Sequence, residues 1–181
     1  MELQILKDAR YMLTAIDEAI FGVQEKGLAY GAQVGCVVVG RDGTIVSRAH
    51  NSYFDGIRRH AEEIAIAGAG KLSSGATLYV TIEPCNGNPY HKRRHCCEQI
   101  VGAGIERVVI GSQKRVYEGG ADLMAGQGVA VELLENSNIK DLCTLLMANR
   151  ESGAGLSERV VGKVLKTRNQ IGKLSWADGL Q

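Results

Sequence analysis

Residues 60–67 read HAEEIAIA, and residues 75–85 read GATLYVTIEPC. The first segment predicts a helix over residues 60–72, with isoleucine and alanine side chains to bury. The second predicts a buried strand over residues 76–82, because a short apolar run bounded by turn residues is typical of strands inside a core. A helix followed by a buried strand is typical of α/β domains, in which helices cover the faces of a sheet.

The segments around this pair extend the alternation of helices and strands. Residues 34–39 and 44–49 read as two strands of a hairpin, because the Asp42-Gly43 pair between them supplies the positive φ that a tight turn needs. A hairpin followed by alternating helices and strands predicts a three-layer α/β/α sandwich around a five-stranded mixed sheet. The remaining predictions are helices over residues 5–26 and 96–103, strands over residues 107–110 and 129–134 with helical segments between them and after Ile139, and loops over residues 51–59 and 85–95.

The chain is long enough for one domain with a hydrophobic core and too short for two large ones, with 181 residues of which 45% are hydrophobic. One segment, ESGAG at residues 151–155, has the composition of a linker. We therefore expect a main domain over residues 1–150 and a carboxyl-terminal helical extension over residues 151–181. The extension is basic with one apolar stripe, and apart from Trp176 near its end it has no aromatic side chain between the charges. This composition favours a docking or oligomerisation helix over a nucleic-acid-binding arm.

The charge balance and the cysteines narrow the class of protein. The formal net charge is +1, so the overall charge does not point to nucleic acid, and no run of 18 apolar residues predicts a membrane span. The first eight residues carry charges where a signal peptide needs an apolar core. Five cysteines without a secretion signal argue against a disulfide framework and predict a cytoplasmic protein. Cys36 and Cys143 lie in apolar segments and are predicted to be buried packing residues.

Four other residues have the chemistry that a catalytic zinc needs. One imidazole (His60) and two thiolates (Cys85 and Cys96) can hold the metal and leave a fourth position open for water. A carboxylate that is not a ligand, Glu62, can then move protons at that water. The two-residue spacing of His60 and Glu62 works if both lie in the first turn of a helix. The alternative is a structural zinc site with further ligands from His91 or His95.

The two segments quoted at the start resemble the cytidine/deoxycytidylate deaminase superfamily. The His-Ala-Glu triplet at residues 60–62 and the Thr-x-Glu-Pro-Cys run at residues 81–85 carry the resemblance. It extends over roughly residues 28–135, and it implies a cytidine-deaminase-like sandwich in which the main domain is catalytic.

The resemblance also implies a role for each site residue. His60, Cys85 and a later cysteine would bind zinc, and Glu62 would move a proton from water to the ring nitrogen and then to the leaving amine. The family pattern places the later cysteine eight residues before a glycine that ends a helix, which selects Cys96. Cys97 would point elsewhere, since neighbours on a helix are about 100° apart, and it stays the alternative ligand. His95 in place of a thiol is a further alternative.

The candidate substrate contacts come from the loops around the four site residues and from the start of the helix at residue 60. Residues 86–95 lengthen the common Pro-Cys-x-x-Cys spacing, and a longer loop here also occurs in the pyrimidine deaminase of riboflavin synthesis. In deoxycytidylate and cytosine deaminases an asparagine in the place of Asn51 contacts the base or sugar, and the backbone N–H of Ala61 is expected to read a ring carbonyl. Lys92 and Arg93 either clamp a substrate phosphate or belong to a solvated loop.

These expectations combine into one predicted function. The protein is expected to be a zinc-dependent hydrolase that replaces an exocyclic amine of a cytosine or aminopyrimidine nucleotide with a carbonyl and releases ammonia. The alternatives are a riboflavin-pathway diaminopyrimidine deaminase, an editing deaminase acting on nucleic acid, and a non-catalytic zinc-binding module. The resemblance further implies a homodimer or a larger homo-oligomer, and no membrane partner is expected.

Overall fold

The computed structural model describes residues 2–26, 33–54, 57–86, 95–113, 119–147 and 158–177. Among them are seven strands: β1 (Gly35–Val39), β2 (Ile45–His50), β3 (Ser52–Phe54), β4 (Ile57–Arg59), β5 (Thr77–Val80), β6 (Arg107–Ile110) and β7 (Ala130–Leu133). The helices are α1 (Glu2–Lys26), α2 (Ala61–Ala69), α3 (Cys96–Gly102), α4 (Gly120–Gly126), α5 (Ser137–Met147) and α6 (Glu158–Ala177), with a short 3₁₀ turn at Gly70–Ser73. No described helix is both long and apolar enough to cross a membrane.

Five strands form one mixed sheet in the order β2-β1-β5-β6-β7. β1 pairs antiparallel with both β2 and β5, whereas β5, β6 and β7 run parallel to one another. Helices cross between the parallel strands, as parallel pairing requires. The five-stranded mixed sheet expected from the sequence is therefore confirmed.

Helices cover both faces of this sheet. Apolar side chains of α1, α5 and α6 pack on one face, and those of α2, α3 and α4 pack on the other. Successive side chains of a strand alternate between the two faces, so Val37 and Val39 face α1 while Cys36 and Val38 face α2. The three-layer α/β/α sandwich is confirmed. Its central strands are mostly apolar because both of their faces are buried, with Thr77 and Arg107 at the starts of β5 and β6 as polar exceptions.

α1 approaches the sheet closely at Gly35. A Cβ atom at this position would lie 1.7 Å from the carbonyl oxygen of Ala15, so only glycine fits. The close approach leaves Ala15, Ile16 and Ala19 without solvent exposure. The backbone of α1 is thereby packed directly on β1.

A buried polar network ties α1 to the parallel strands. Arg107 donates two hydrogen bonds to the Asp8 carboxylate, at 2.9 and 2.7 Å, and the Tyr79 hydroxyl donates a third at 2.7 Å. On its outer side Arg107 also donates to Glu132 at 3.0 Å. Burial raises the pKa of Asp8, but the hydrogen bonds from Arg107 and Tyr79 outweigh burial, so that its pKa is lowered.

α6 packs against the rest of the fold. Val164 has no solvent exposure and belongs to the core on the α1 side of the sheet. Arg168 donates two hydrogen bonds to Asp17 of α1, the first at 2.8 Å. α6 thus contributes apolar side chains to the same core as α1 and α5.

The loop expected over residues 51–59 is wrong in part. β3 and β4 pair there as a small antiparallel hairpin, with Tyr53 opposite Arg58. Each strand has three residues, which is too short for a period-two pattern to show. The Asp55-Gly56 dipeptide between them is a sequence signal that identifies such a hairpin.

Candidate metal centre and active site

The candidate site lies beyond the carboxyl ends of β5 and β6, where α2 and α3 begin. His60 directly precedes α2 in extended backbone (φ −81°, ψ 153°), and Cys96 is the first residue of α3. Cys85 lies on the segment that leaves β5, and its carbonyl accepts a hydrogen bond from the Cys97 N–H at 3.3 Å. This edge of an open α/β sheet gathers ligand sites because loops and helix N-termini converge on it.

The three predicted metal-binding side chains converge there. Cys96 Sγ lies 3.1 Å from His60 Nδ1, and Cys85 Sγ lies 3.6 Å from the same nitrogen. All three donor atoms lie within 4.8 Å of one another. Residues separated by 25 and 11 positions in the sequence thus form one cluster.

The cluster fits a tetrahedral zinc ion. Bonds of about 2.0–2.3 Å at tetrahedral angles place neighbouring nitrogen and sulfur ligands roughly 3.5–3.8 Å apart. The separations of 3.1 and 3.6 Å are close to that range, so small side-chain movements suffice to accommodate the ion. One imidazole and two thiols supply three ligands and leave a fourth position for water, which is the arrangement of catalytic rather than structural zinc sites.

In the cluster without metal, the surroundings stabilise a thiolate on Cys85 but not on Cys96. A hydrogen bond from the Cys96 thiol lowers the pKa of Cys85 far below that of an ordinary cysteine. The hydrogen bond to Cys85 in turn raises the pKa of His60, and burial opposes this shift. Cys96 has a strongly raised pKa, because its thiol donates to Cys85 and is buried. In the absence of metal, the negative charge is therefore concentrated on Cys85.

Glu62 lies beside the cluster without being part of it. It occupies the first turn of α2, is 4% exposed, and interacts with the Cys96 thiol. Burial and the negative charge of Glu62 together raise the pKa of the fully buried Cys36 beneath it. The sequence predicted that His60 and Glu62 both lie at the start of a helix, and the structure places them there.

The structure separates the two adjacent cysteines of α3. The Cys97 thiol points away from the donor cluster, towards the carbonyl oxygens of Pro84 and Gly120 at 3.7 and 3.6 Å. Burial raises the pKa of Cys97 to about 12, but the pKa of Cys96 is raised as well, so the position of the thiol is what separates the two cysteines. His95 precedes α3 and is not a member of the cluster, whereas His91 lies outside the described residues.

Sequence comparison identifies the family. The family described as the cytidine and deoxycytidylate deaminase zinc-binding region matches residues 7–112. This chain belongs to that family. The match runs from within α1 to just beyond β6, and it includes all four residues of the candidate site.

Relatives within this deaminase family give further detail. A diaminohydroxyphosphoribosylamino-pyrimidine deaminase from Buchnera aphidicola subsp. Schizaphis graminum is 32% identical over 131 residues, which cover 71% of this chain and 84% of that protein. The riboflavin biosynthesis protein RibD of Bacillus amyloliquefaciens is 38% identical over 141 residues, which are 78% of this chain and 34% of RibD. The chain thus spans about a third of this longer relative.

A solved structure agrees with these sequence matches. The crystal structure of a diaminohydroxyphosphoribosylaminopyrimidine deaminase/5-amino-6-(5-phosphoribosylamino)uracil reductase from Thermotoga maritima superimposes with a TM-score of 0.65 and 31% sequence identity. The superposition covers 82% of this chain and 42% of that one. Membership of the deaminase family confirms the predicted class of enzyme, a hydrolytic deaminase acting on C–N bonds.

Of the four predicted substrate contacts, Asn51 and Ala61 are among the described residues. The Asn51 side chain is 5% exposed, and its Oδ1 accepts a hydrogen bond from the Val34 N–H at 2.9 Å, so it holds the start of β1. Ala61 is the first residue of α2, where a backbone N–H has no acceptor within the helix. Lys92 and Arg93 lie outside the described residues.

Glu83 is a buried carboxylate next to the site, and its sequence context predicted no separate role for it. This residue is 4% exposed, and its carboxylate accepts a hydrogen bond from the Ala121 N–H of α4 at 3.1 Å. The signal in the sequence was a charged residue two positions before Cys85, a candidate metal ligand. Its contacts depend on α4, which lies more than 30 residues further along the chain.

Proposed function

We propose that the chain is a zinc-dependent deaminase that hydrolyses an exocyclic amine of an aminopyrimidine nucleotide to a carbonyl and releases ammonia. The observation that carries the proposal is the convergence of His60, Cys85 and Cys96 beside the buried carboxylate of Glu62. A structural zinc site would have no use for that carboxylate. The family match supports the same chemistry.

In this proposal His60 Nδ1 and the sulfur atoms of Cys85 and Cys96 hold the metal. Zinc supplies a Lewis acid that lowers the pKa of a coordinated water towards about 7. The chain contributes the placement: two helix starts meet at the site, and their backbone dipoles favour the thiolates. Metal binding requires Cys96 to lose its proton, so the binding affinity is expected to rise with pH.

Glu62 is the proposed proton carrier. Its carboxylate takes a proton from the attacking water and gives it to the ring nitrogen next to the amine-bearing carbon. It then takes the second proton of that water to the amine as the C–N bond breaks and ammonia leaves. Glu62 lies in the first turn of α2, which keeps its carboxylate at the amino-terminal end of the helix beside the cluster. Because the side chain is buried, bulk water is excluded from the proton transfer.

The substrate that we propose first is a phosphoribosylamino-pyrimidine of the kind named for the Buchnera and Thermotoga relatives. The backbone N–H of Ala61 is proposed to read a ring carbonyl, and Asn51 to contact the sugar while it holds β1. Lys92 and Arg93 are proposed to bind the phosphate, because both are cations in the segment that joins Cys85 to Cys96, two of the proposed metal ligands.

The second candidate substrate is a cytosine nucleotide. The matching family is described by cytidine and deoxycytidylate, and both ring systems carry an amine next to a ring nitrogen. The two substrates share the metal, Glu62 and the site of attack, so they differ in the contacts to the rest of the ring and the sugar. Only turnover can separate them.

The experiment measures ammonia release from zinc-loaded protein. The panel contains the diaminopyrimidine ribotide, cytosine, cytidine, CMP, dCMP and a cytosine-bearing oligonucleotide. We expect release from the ribotide, and we expect Glu62→Gln to abolish that release while it retains one zinc per chain. The matched control is Glu63→Gln, because Glu63 lies in the same helical turn but pairs with Arg59 at the surface.

The other outcomes are equally definite. Release from dCMP or cytidine alone would select the second candidate. Salt-sensitive binding of the oligonucleotide with release from it would identify an editing deaminase. Bound zinc without ammonia release on the whole panel, with no effect of Glu62→Gln, would contradict the enzyme and support a zinc-stabilised binding module.

We further propose that residues 1–150 form the catalytic domain, that residues 151–181 form a helical extension, and that the protein is a homo-oligomer in the cytoplasm. All five cysteines are free, which supports a reducing compartment. The apolar stripe of α6 supports the extension, since Val164 is buried in the main core.

Light scattering at working concentration tests the proposed homo-oligomer, and a monomeric mass would contradict it.

A further inference from the structure

The segment that carries Cys85 belongs to no helix or strand, so other elements must hold it in place. The N–H of Glu83 donates to the carbonyl oxygen of Ser112, just beyond β6, at 2.9 Å. The carbonyl oxygen of Cys85 accepts from the Cys97 N–H of α3. The third attachment is made by a side chain, because the Glu83 carboxylate accepts the Ala121 N–H of α4.

The start of α4 presses directly on this segment. A Cβ atom at Gly120 would lie 2.4 Å from the carbonyl oxygen of Pro84, and 3.3 Å from the Cys97 sulfur. The Cys97 thiol bridges the carbonyl oxygens of Pro84 and Gly120. Cys97 therefore fills the space between the segment and α4, on the side away from the metal cluster.

Glu83 adds a charge to this junction. A carboxylate that is 4% exposed is costly unless hydrogen bonds compensate for the lost water. The Ala121 N–H lies in the first turn of α4, where N–H groups have no intrahelical acceptor and the helix dipole favours a negative charge. Removing the Glu83 side chain would leave that N–H without this acceptor and open a gap behind Pro84.

We propose that Glu83 is a positioning residue that fixes Cys85 for metal binding by anchoring its segment to the start of α4. The inference rests on the proposed metal site, which requires Cys85 Sγ to keep its distance from His60 and Cys96. The carbonyl group of Pro84, the residue before Cys85, packs closely against Gly120. Because only one peptide unit separates this contact from Cys85, a shift of α4 would also move Cys85. Residues that support metal ligands from behind typically change metal affinity by 10–100-fold when removed.

The test compares metal affinity in four proteins: the wild type, Glu83→Ala, Glu83→Gln and the control Glu98→Ala. Glu98 is an exposed carboxylate in the first turn of α3, close in sequence to Cys96. Zinc affinity is measured by competition with a chelator, and the thiolate absorption bands of the cobalt-loaded proteins report the ligand geometry. Unfolding of the metal-free proteins is measured alongside.

We expect Glu83→Ala to bind zinc about 10–100-fold more weakly and to alter the cobalt bands. Glu83→Gln should keep most of the affinity, because the amide oxygen can still accept the Ala121 N–H. Glu98→Ala should match the wild type. If Glu83→Ala does not fold, Gly120→Ala tests the same junction with Glu83 intact, and the same weakening is expected.

Two results would overturn the inference. One is wild-type zinc affinity and an unchanged cobalt spectrum in Glu83→Ala or Gly120→Ala. The other is a loss of affinity with unchanged cobalt bands that matches the loss of unfolding free energy in the metal-free protein, which would mean that Glu83 serves general stability alone. A wild-type protein that binds no zinc would refute the proposed function itself, and the inference with it.

Discussion

Replacing Arg107 with methionine tests how strongly the buried network holds α1 to the sheet. Two hydrogen bonds join Arg107 to Asp8, whose side chain is 11% exposed, while that of Arg107 is 18% exposed. Breaking a buried pair by removing one partner costs about 3–5 kcal/mol, because the other charge stays buried. That is a large part of the roughly 5–15 kcal/mol by which a domain is stable. We expect a decrease of this size in the unfolding free energy from urea denaturation.

The matched control is Glu132→Ala, which removes the outer partner of the same guanidinium. The Glu132 side chain is 52% exposed, so its ion pair is expected to contribute about 1 kcal/mol or less. Equal losses in the two variants would contradict the reasoning, since they would mean that burial does not set the strength of these pairs. A loss below about 1 kcal/mol in Arg107→Met would contradict it as well.

The same network gives a pH dependence with a defined sign. The folded-state pKa of Asp8 is lowered, so its contribution to stability is complete above the unfolded pKa of about 3.9. The contribution is lost as the pH falls through the lower folded-state value, because the folded state then takes up the proton that the unfolded state already holds. Arg107→Met should therefore reduce the fall in unfolding free energy below about pH 4, and an unchanged slope would argue against the pairing.

Three further predictions concern packing and the choice of ligand. Gly35→Ala should destabilise the fold by about 1–3 kcal/mol or more in urea, since its Cβ would meet a backbone carbonyl, whereas Gly102→Ala has open space and should be neutral. Cys97→Ser should keep one zinc per chain by metal analysis, and loss of the metal would make Cys97 a ligand. Val164→Ala should lower the unfolding free energy by roughly 1–3 kcal/mol if α6 belongs to the core. An unchanged unfolding free energy would contradict the packing of α6 on the core.

The local pattern of the sequence was sufficient for the strands of the main sheet and for the type of chemistry, although not for the short strands β3 and β4. Apolar runs of strand length are found where β1, β5 and β6 lie, because strands buried on both faces need apolar side chains at most positions. The Asp42-Gly43 turn was predictable because few residues adopt positive φ. The imidazole, the thiols and the carboxylate of the candidate site could be recognised from residue type alone, since few side chains bind zinc or carry protons.

Tertiary structure decided which of those residues meet and what supports them. His60, Cys85 and Cys96 come together only when α2, β5 and α3 are packed, and the direction of α3 turns Cys97 towards Gly120 instead of the donor cluster. The contact between Glu83 and Ala121 likewise joins residues 38 positions apart. A sequence encodes local periodicity and residue chemistry, whereas distances between distant segments depend on how helices and strands pack, which no local pattern contains.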